Sequence, residues 1–204
     1  MNNLYAFGCS YTYGDKTQPY NIDPSVPSNT AWPGILASQL NLNCVNNAKS
    51  GASNDYILRS VLDNLNKFNH NDLIIVMLTW PDRRLLMDHN KNKIVNALPQ
   101  NKYYKDYYLK YHSEELGILN FLQNFLALKT ILNNLNYYIT FTTIEPMILC
   151  RKYNWAKNIK LIDKRVIQPP NLGFYSFIKD NKRLHPNDFE HSKIANVINN
   201  NINK

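Results

Sequence analysis

Two residues at opposite ends of this chain have the types that acyl-transfer chemistry requires. Ser10 lies in the turn Gly8-Cys9-Ser10, directly after the apolar run Leu4-Tyr5-Ala6-Phe7, and Gly14 follows it closely. His185 lies in Leu184-His185-Pro186-Asn187, just ahead of a helix-like segment. A serine hydroxyl is a weak nucleophile until an adjacent base takes its proton, and a neutral imidazole suits that task near pH 7. An apolar strand running straight into a glycine turn can hold the hydroxyl at the carboxyl edge of a sheet, where ligand sites collect in open α/β folds. Gly51, in Ser50-Gly51-Ala52-Ser53-Asn54, is a third candidate. Glycine lets the backbone approach a ligand closely. The N–H groups of Ser10 and Gly51 could then stabilise a developing oxyanion, at roughly 3–4 kcal/mol per donor. Loss of Ser10 should abolish acyl-enzyme formation.

Such residues meet only if the elements between them form one sheet. Tyr5 to Phe7 read as a buried strand, Asn43 to Asn46 as a short one, and Leu73 to Leu78 as the strongest, continuously apolar as a strand covered on both faces should be. Tyr137 to Thr143 read as a further strand, and the last strand is expected around Lys160 to Ile162. Helical spacing marks Ala31 to Leu40, with Pro33 in the first turn where proline is tolerated, and a helix after Ser53 or Asn54 with Ile57, Leu58, Val61, Leu62 and Leu65 on one face. A long helix follows the N-cap candidate Ser113, and Pro186 to Ile202 close the chain with Phe189, Ile194, Val197 and Ile198 on the inner face. Strand–helix alternation without an internal repeat predicts a parallel, doubly wound α/β sheet covered by helices. Ser10, Gly51 and Thr79-Trp80 would then emerge together at its carboxyl edge.

Size and composition bound the possibilities. A chain of 204 residues is most simply one domain, here with an irregular Tyr/Lys-rich insertion at about 81–112. A 12% aromatic share argues against disorder. No apolar run reaches about 18 residues, so no membrane span is expected. The first residues lack a basic, apolar leader pattern, which implies a cytoplasmic site of synthesis. Cys9, Cys44 and Cys150 are odd in number and have no CxxC spacing, which argues against a disulfide framework or zinc site. His70, His89 and His112 stand alone in polar stretches, read as surface residues, and no metal or other cofactor is expected. The net charge of +8 comes from lysines scattered among asparagines, so solubility ranks above nucleic-acid binding as its meaning.

Taken in order, Gly8-Cys9-Ser10 with Gly14, Asn46-Asn47-Ala48-x-x-Gly51, the strand ending at Trp80, and Leu184-His185-Pro186-Asn187 with His191 and Ile194-Ala195 resemble the SGNH (GDSL-type) hydrolase family, above all its divergent virus and phage forms. The resemblance implies a flavodoxin-like α/β/α sandwich and serine-ester hydrolysis, with a small acyl ester or an acylated glycan as substrate. It departs at three points. Cys9 replaces the family's aspartate before the serine and is a rival nucleophile, although the register favours Ser10. Trp80 stands where an oxyanion-hole asparagine is usual, leaving Asn54 as the nearest alternative donor. Lys182 stands where the acid of Asp-x-x-His would fall, leaving Asp180 as a substitute orienter or a backbone carbonyl in its place. Asp188-Phe189-Glu190-His191 also spells Asp-x-x-His but reads as part of the closing helix. These departures motivate a second reading, an inactive relative kept as a binding or structural module, for example in a virus particle.

The run Tyr103 to Tyr111 would form a stripe of Tyr103, Tyr107 and Tyr111 on a helix, with Tyr104 and Tyr108 beside it. Packing on the domain, or contact with a second copy of the chain or a virion partner, ranks above stacking on sugars or bases. Its place after the third strand also suits a lid.

Overall fold

A computed structural model describes residues 2–15, 27–88, 93–168, 173–178 and 185–203. Among these, the strands are β1 (Asn3–Phe7), β2 (Asn43–Asn46), β3 (Leu73–Leu78), β4 (Arg84–Asp88), β5 (Lys93–Ala97) and β6 (Tyr137–Phe141). The helices are α1 (Ser10–Tyr13), α2 (Trp32–Gln39), α3 (Asn54–Asn64), α4 (Lys105–Tyr111), α5 (Glu114–Ile131), α6 (Glu145–Lys152) and α7 (Asp188–Ile202).

Four strands form a parallel sheet in the order β2-β1-β3-β6. The chain moves one way from β1 to β2 and the other way from β1 to β3 and β6. Because parallel crossovers are right-handed, that reversal puts their helices on opposite faces. Accordingly α2 packs with α7, while α3 packs with α5 and α5 with α6. The doubly wound α/β architecture expected from the alternation is the one observed. All six residues of β3 are buried, which explains its unbroken apolar sequence. Phe121, Phe125 and Phe141 fill the layer beneath α5.

Several expectations need correction. The last strand is not at Lys160 to Ile162. Instead Val166 makes an isolated parallel bridge to Ile139, and the Ile167 N–H donates to the Ile139 carbonyl at 2.9 Å. The insertion after β3 is not irregular: β4 and β5 form an antiparallel hairpin, followed by α4. On α3, Ile57 and Val61 are buried, but Leu62, and Leu65 just past the helix end, face solvent. On α7, Phe189 is exposed under the Lys193 ammonium, and His191 takes the inner face with Ile194 and Ile198. After β6 the chain forms α6, with Pro146 in its first turn, where no helix was expected.

Candidate active site

The turn after β1 is shaped by close packing. A Cβ at Gly8 would come within 2.1 Å of Thr12 Oγ1 and 3.2 Å of the Met77 carbonyl, so only glycine lets β1 run under α1. Ser10 is the first residue of α1 and 4% exposed. Cys9, the rival nucleophile, is fully buried, with Sγ 3.9 Å from Thr142 Oγ1 in the core.

The second turn is stitched to the first. Asn46 Nδ2 donates to the Thr12 carbonyl at 2.7 Å, and the Lys49 N–H donates to the Gly8 carbonyl at 3.1 Å. Gly51 has φ +71°, a left-handed conformation that costs glycine little. Ser53 then caps α3, its Oγ accepting from the Tyr56 N–H. Asn54 reaches across to the third turn. Its Nδ2 donates to the carbonyls of Thr79 and Trp80 at 3.2 and 3.3 Å, and its Oδ1 accepts the Thr79 N–H at 2.8 Å. The Asn54 amide therefore fixes the end of β3 rather than facing a ligand, which argues against the oxyanion-donor role weighed for it.

Two rings flank Tyr11, the residue after Ser10. Tyr11 packs edge-on to Trp80 at 5.9 Å and lies 6.2 Å from the His185 ring. His185 is delivered by the start of α7. Asn187 forms a capping box with Glu190, accepting the Glu190 N–H while Glu190 Oε2 accepts the Asn187 N–H. One turn on, His191 is fully buried and its Nδ1 accepts the Trp32 N–H at 3.2 Å. Burial, and secondarily the field of His185, push the His191 pKa down to about 4. So the segment bearing His185 is seated on α2 through the backbone of Trp32, next to the Ser10 turn.

The structure also brings in a carboxylate that spacing alone did not reveal. Asp15 Oδ2 lies 3.7 Å from His185 Nε2 and accepts the Ser50 hydroxyl at 2.5 Å. Asp180 and Lys182 fall outside the described residues. Ser10 and Gly51 thus follow the carboxyl ends of the neighbouring strands β1 and β2, and His185 lies against Tyr11 and Asp15 beside the Ser10 turn. His112, read as a surface residue, is instead half-buried, with its Nδ1 enclosed and the Cε1–Nε2 edge of its ring over Gly117. Burial lowers its pKa, and nearby Asp82 partly opposes that shift.

No family model matches the chain, and no curated protein does. Solved structures do. A protein from Desulfitobacterium hafniense DCB-2, described as a lipolytic protein of the G-D-S-L family, aligns with a TM-score of 0.56 at 13% identity, over 98% of this chain and 99% of its own. The psychrotrophic esterase EstA of Pseudoalteromonas sp. aligns with a TM-score of 0.54 at 11% identity, over 100% of this chain and 97% of its own. An acetyl xylan esterase from Butyrivibrio proteoclasticus aligns with a TM-score of 0.53 at 13% identity, over 99% of this chain and 64% of its own. The fold is therefore the α/β fold of SGNH hydrolases. No helix among the described residues is long and apolar enough to cross a membrane.

Proposed function

We propose that this chain is a cofactor-independent serine hydrolase of small acyl esters, with Ser10 as nucleophile and His185 as general base. The observation that carries this reading is the arrival of His185, from the far end of the chain, against both flanks of the Ser10 turn: the Tyr11 ring on one side and the Asp15 carboxylate on the other. In the proposed reaction Ser10 Oγ attacks the acyl carbon while its proton passes to His185. The carbonyl oxygen takes the negative charge, facing the backbone N–H groups of Ser10 and Gly51. Collapse breaks the ester C–O bond, and His185 returns the proton to the leaving alkoxide. Water then repeats the sequence on the acyl-enzyme and releases the acid. Asp180 remains the sequence-level candidate for orienting the imidazole. The acetyl xylan esterase among the similar folds, together with the family resemblance, favours an O-acylated glycan as substrate.

A second reading, an inactive relative serving as a binding or virion module, draws on one specific feature. Trp80 occupies the position of a side-chain oxyanion donor, and the Asn54 amide is engaged by Thr79 and Trp80. A fluorophosphonate probe separates the two. The hydrolase reading expects covalent labelling and p-nitrophenyl acetate turnover, both lost in Ser10→Ala and His185→Ala. A well-folded wild-type chain that neither labels nor turns over the ester would leave the module reading.

A further inference from the structure

We propose that Asp15 is the positioning carboxylate of His185, held in place by Ser50; this rests on the Ser10–His185 reading above. Three observations converge on it. First, Asp15 Oδ2 stands 3.7 Å from His185 Nε2, and the two side chains are only 23% and 24% exposed, so solvent screens the pair less than it would on an open surface. Second, the carboxylate is oriented: the Ser50 hydroxyl donates to the same Oδ2. Third, its backbone is tied to the nucleophile. The N–H groups of Gly14 and Asp15 both donate to the Ser10 carbonyl, at 3.0 and 3.2 Å, where Gly14 caps α1 with φ +88°. Asp15 thus hangs from the turn that carries Ser10, is clamped by the neighbour of Gly51, and faces the imidazole. One anion joins all three segments of the site.

The chemical consequence concerns charge. When Ser10 gives up its proton, an imidazolium forms, and an anion at this distance stabilises it whichever ring nitrogen takes the proton. The separation exceeds a hydrogen bond, and such contacts commonly tighten only when substrate is bound. His191, on α7, is kept neutral by burial, and Tyr11 presents its ring. A carboxylate beside an imidazole raises its proton affinity. Asp15 therefore sets the pH at which His185 becomes available as a base.

Side-chain NMR titration of His185 in the whole protein tests the contact without any need for turnover. Asp15→Asn should lower the His185 pKa by about one unit. Where turnover is measurable, the acid limb of kcat/KM should move to lower pH by the same amount. The pH-independent plateau should fall on the order of 100-fold, less than the roughly 10⁴ that loss of a hydrogen-bonded aspartate can cost, with KM little changed. Asp15→Glu should restore most of the plateau, and Ser50→Ala should give a smaller shift in the same direction. An unchanged His185 pKa in folded Asp15→Asn overturns the proposal. So does a plateau that falls in Asp180→Asn but not in Asp15→Asn. If Asp15→Asn does not fold, an unshifted His185 pKa in Ser50→Ala overturns it equally. A chain that never labels with fluorophosphonate but shows the titration shift would sink the hydrolase reading while leaving the Asp15–His185 pairing intact.

Discussion

At the scale of single residues, the candidate site separates groups proposed to do chemistry from groups that hold its turns still. Asn54 belongs to the second kind. Buried and bonded to Thr79 and Trp80 through both ends of its amide, it joins the start of α3 to the end of β3. Asn54→Ala would leave the Thr79 N–H and two carbonyls without their partner in the interior. Each such loss costs about 1–3 kcal/mol before relaxation, so chemical denaturation should report about 2–4 kcal/mol of destabilisation. A donor to the oxyanion would behave differently, with activity falling at unchanged stability. Ser10, Gly51 and His185 were legible because each sits at a strand end or helix start that the hydrophobic pattern marks. Asp15 was not, because its position depends on the left-handed turn at Gly14 and on a hydroxyl from another loop, and neither leaves a trace in residue spacing.

At the scale of elements, legibility follows the strength of the local signal. β3 begins and ends where its apolar run does, β2 falls on the expected Asn43–Asn46, and Ser113 caps α5 as expected. The β4–β5 hairpin escaped notice because its residues are mostly half-exposed, so its alternation is faint against a basic, tyrosine-rich background. α6 is short and mixed in polarity. The misreading of α7 came from taking Phe189 as core by type, when the helix turns it outward beneath Lys193 and buries a histidine. The tyrosine run divides in the same way. Tyr108 reaches the carbonyls of Asp82 and Ala97, while Tyr103 and Tyr111 stay exposed. The hairpin is tied to the site by Asn96, whose Oδ1 accepts both the N–H and the hydroxyl of Ser53, and Leu98 lies within 3.8 Å of a Cβ built at Gly51. Asn96→Ala should cost about 1–2 kcal/mol and raise amide exchange across β4 and β5 before it does so in β1 or β3.

At the scale of the whole molecule, pH enters stability through His191. Its pKa in the fold, about 4, lies below the ordinary value of 6.5, so the unfolded chain binds the proton more readily. Stability therefore rises with pH across that interval and falls as pH drops from about 6.5 toward 4, by about 3 kcal/mol from this group alone. His191→Gln should lose part of its stability at neutral pH but show a shallower decline on acidification, which denaturant midpoints at pH 7 and pH 4.5 would measure. The same histidine accepts the Trp32 N–H, and Gln39 on α2 bonds Asn196 and Asn199 on α7.

That seam between the first long helix and the last has a consequence for how the protein fails. The strand ladders and the layer under α5 are made without α7, whereas Ile194, Ala195 and Ile198 of α7 are buried in the core on the other side of the fold. His185, however, is held against Tyr11 and Asp15, the residues beside the Ser10 turn, by the docking of α7 on α2. Partial loosening at that border would withdraw the proposed base while the strand ladders are still paired, so inactivation under mild stress would run ahead of melting.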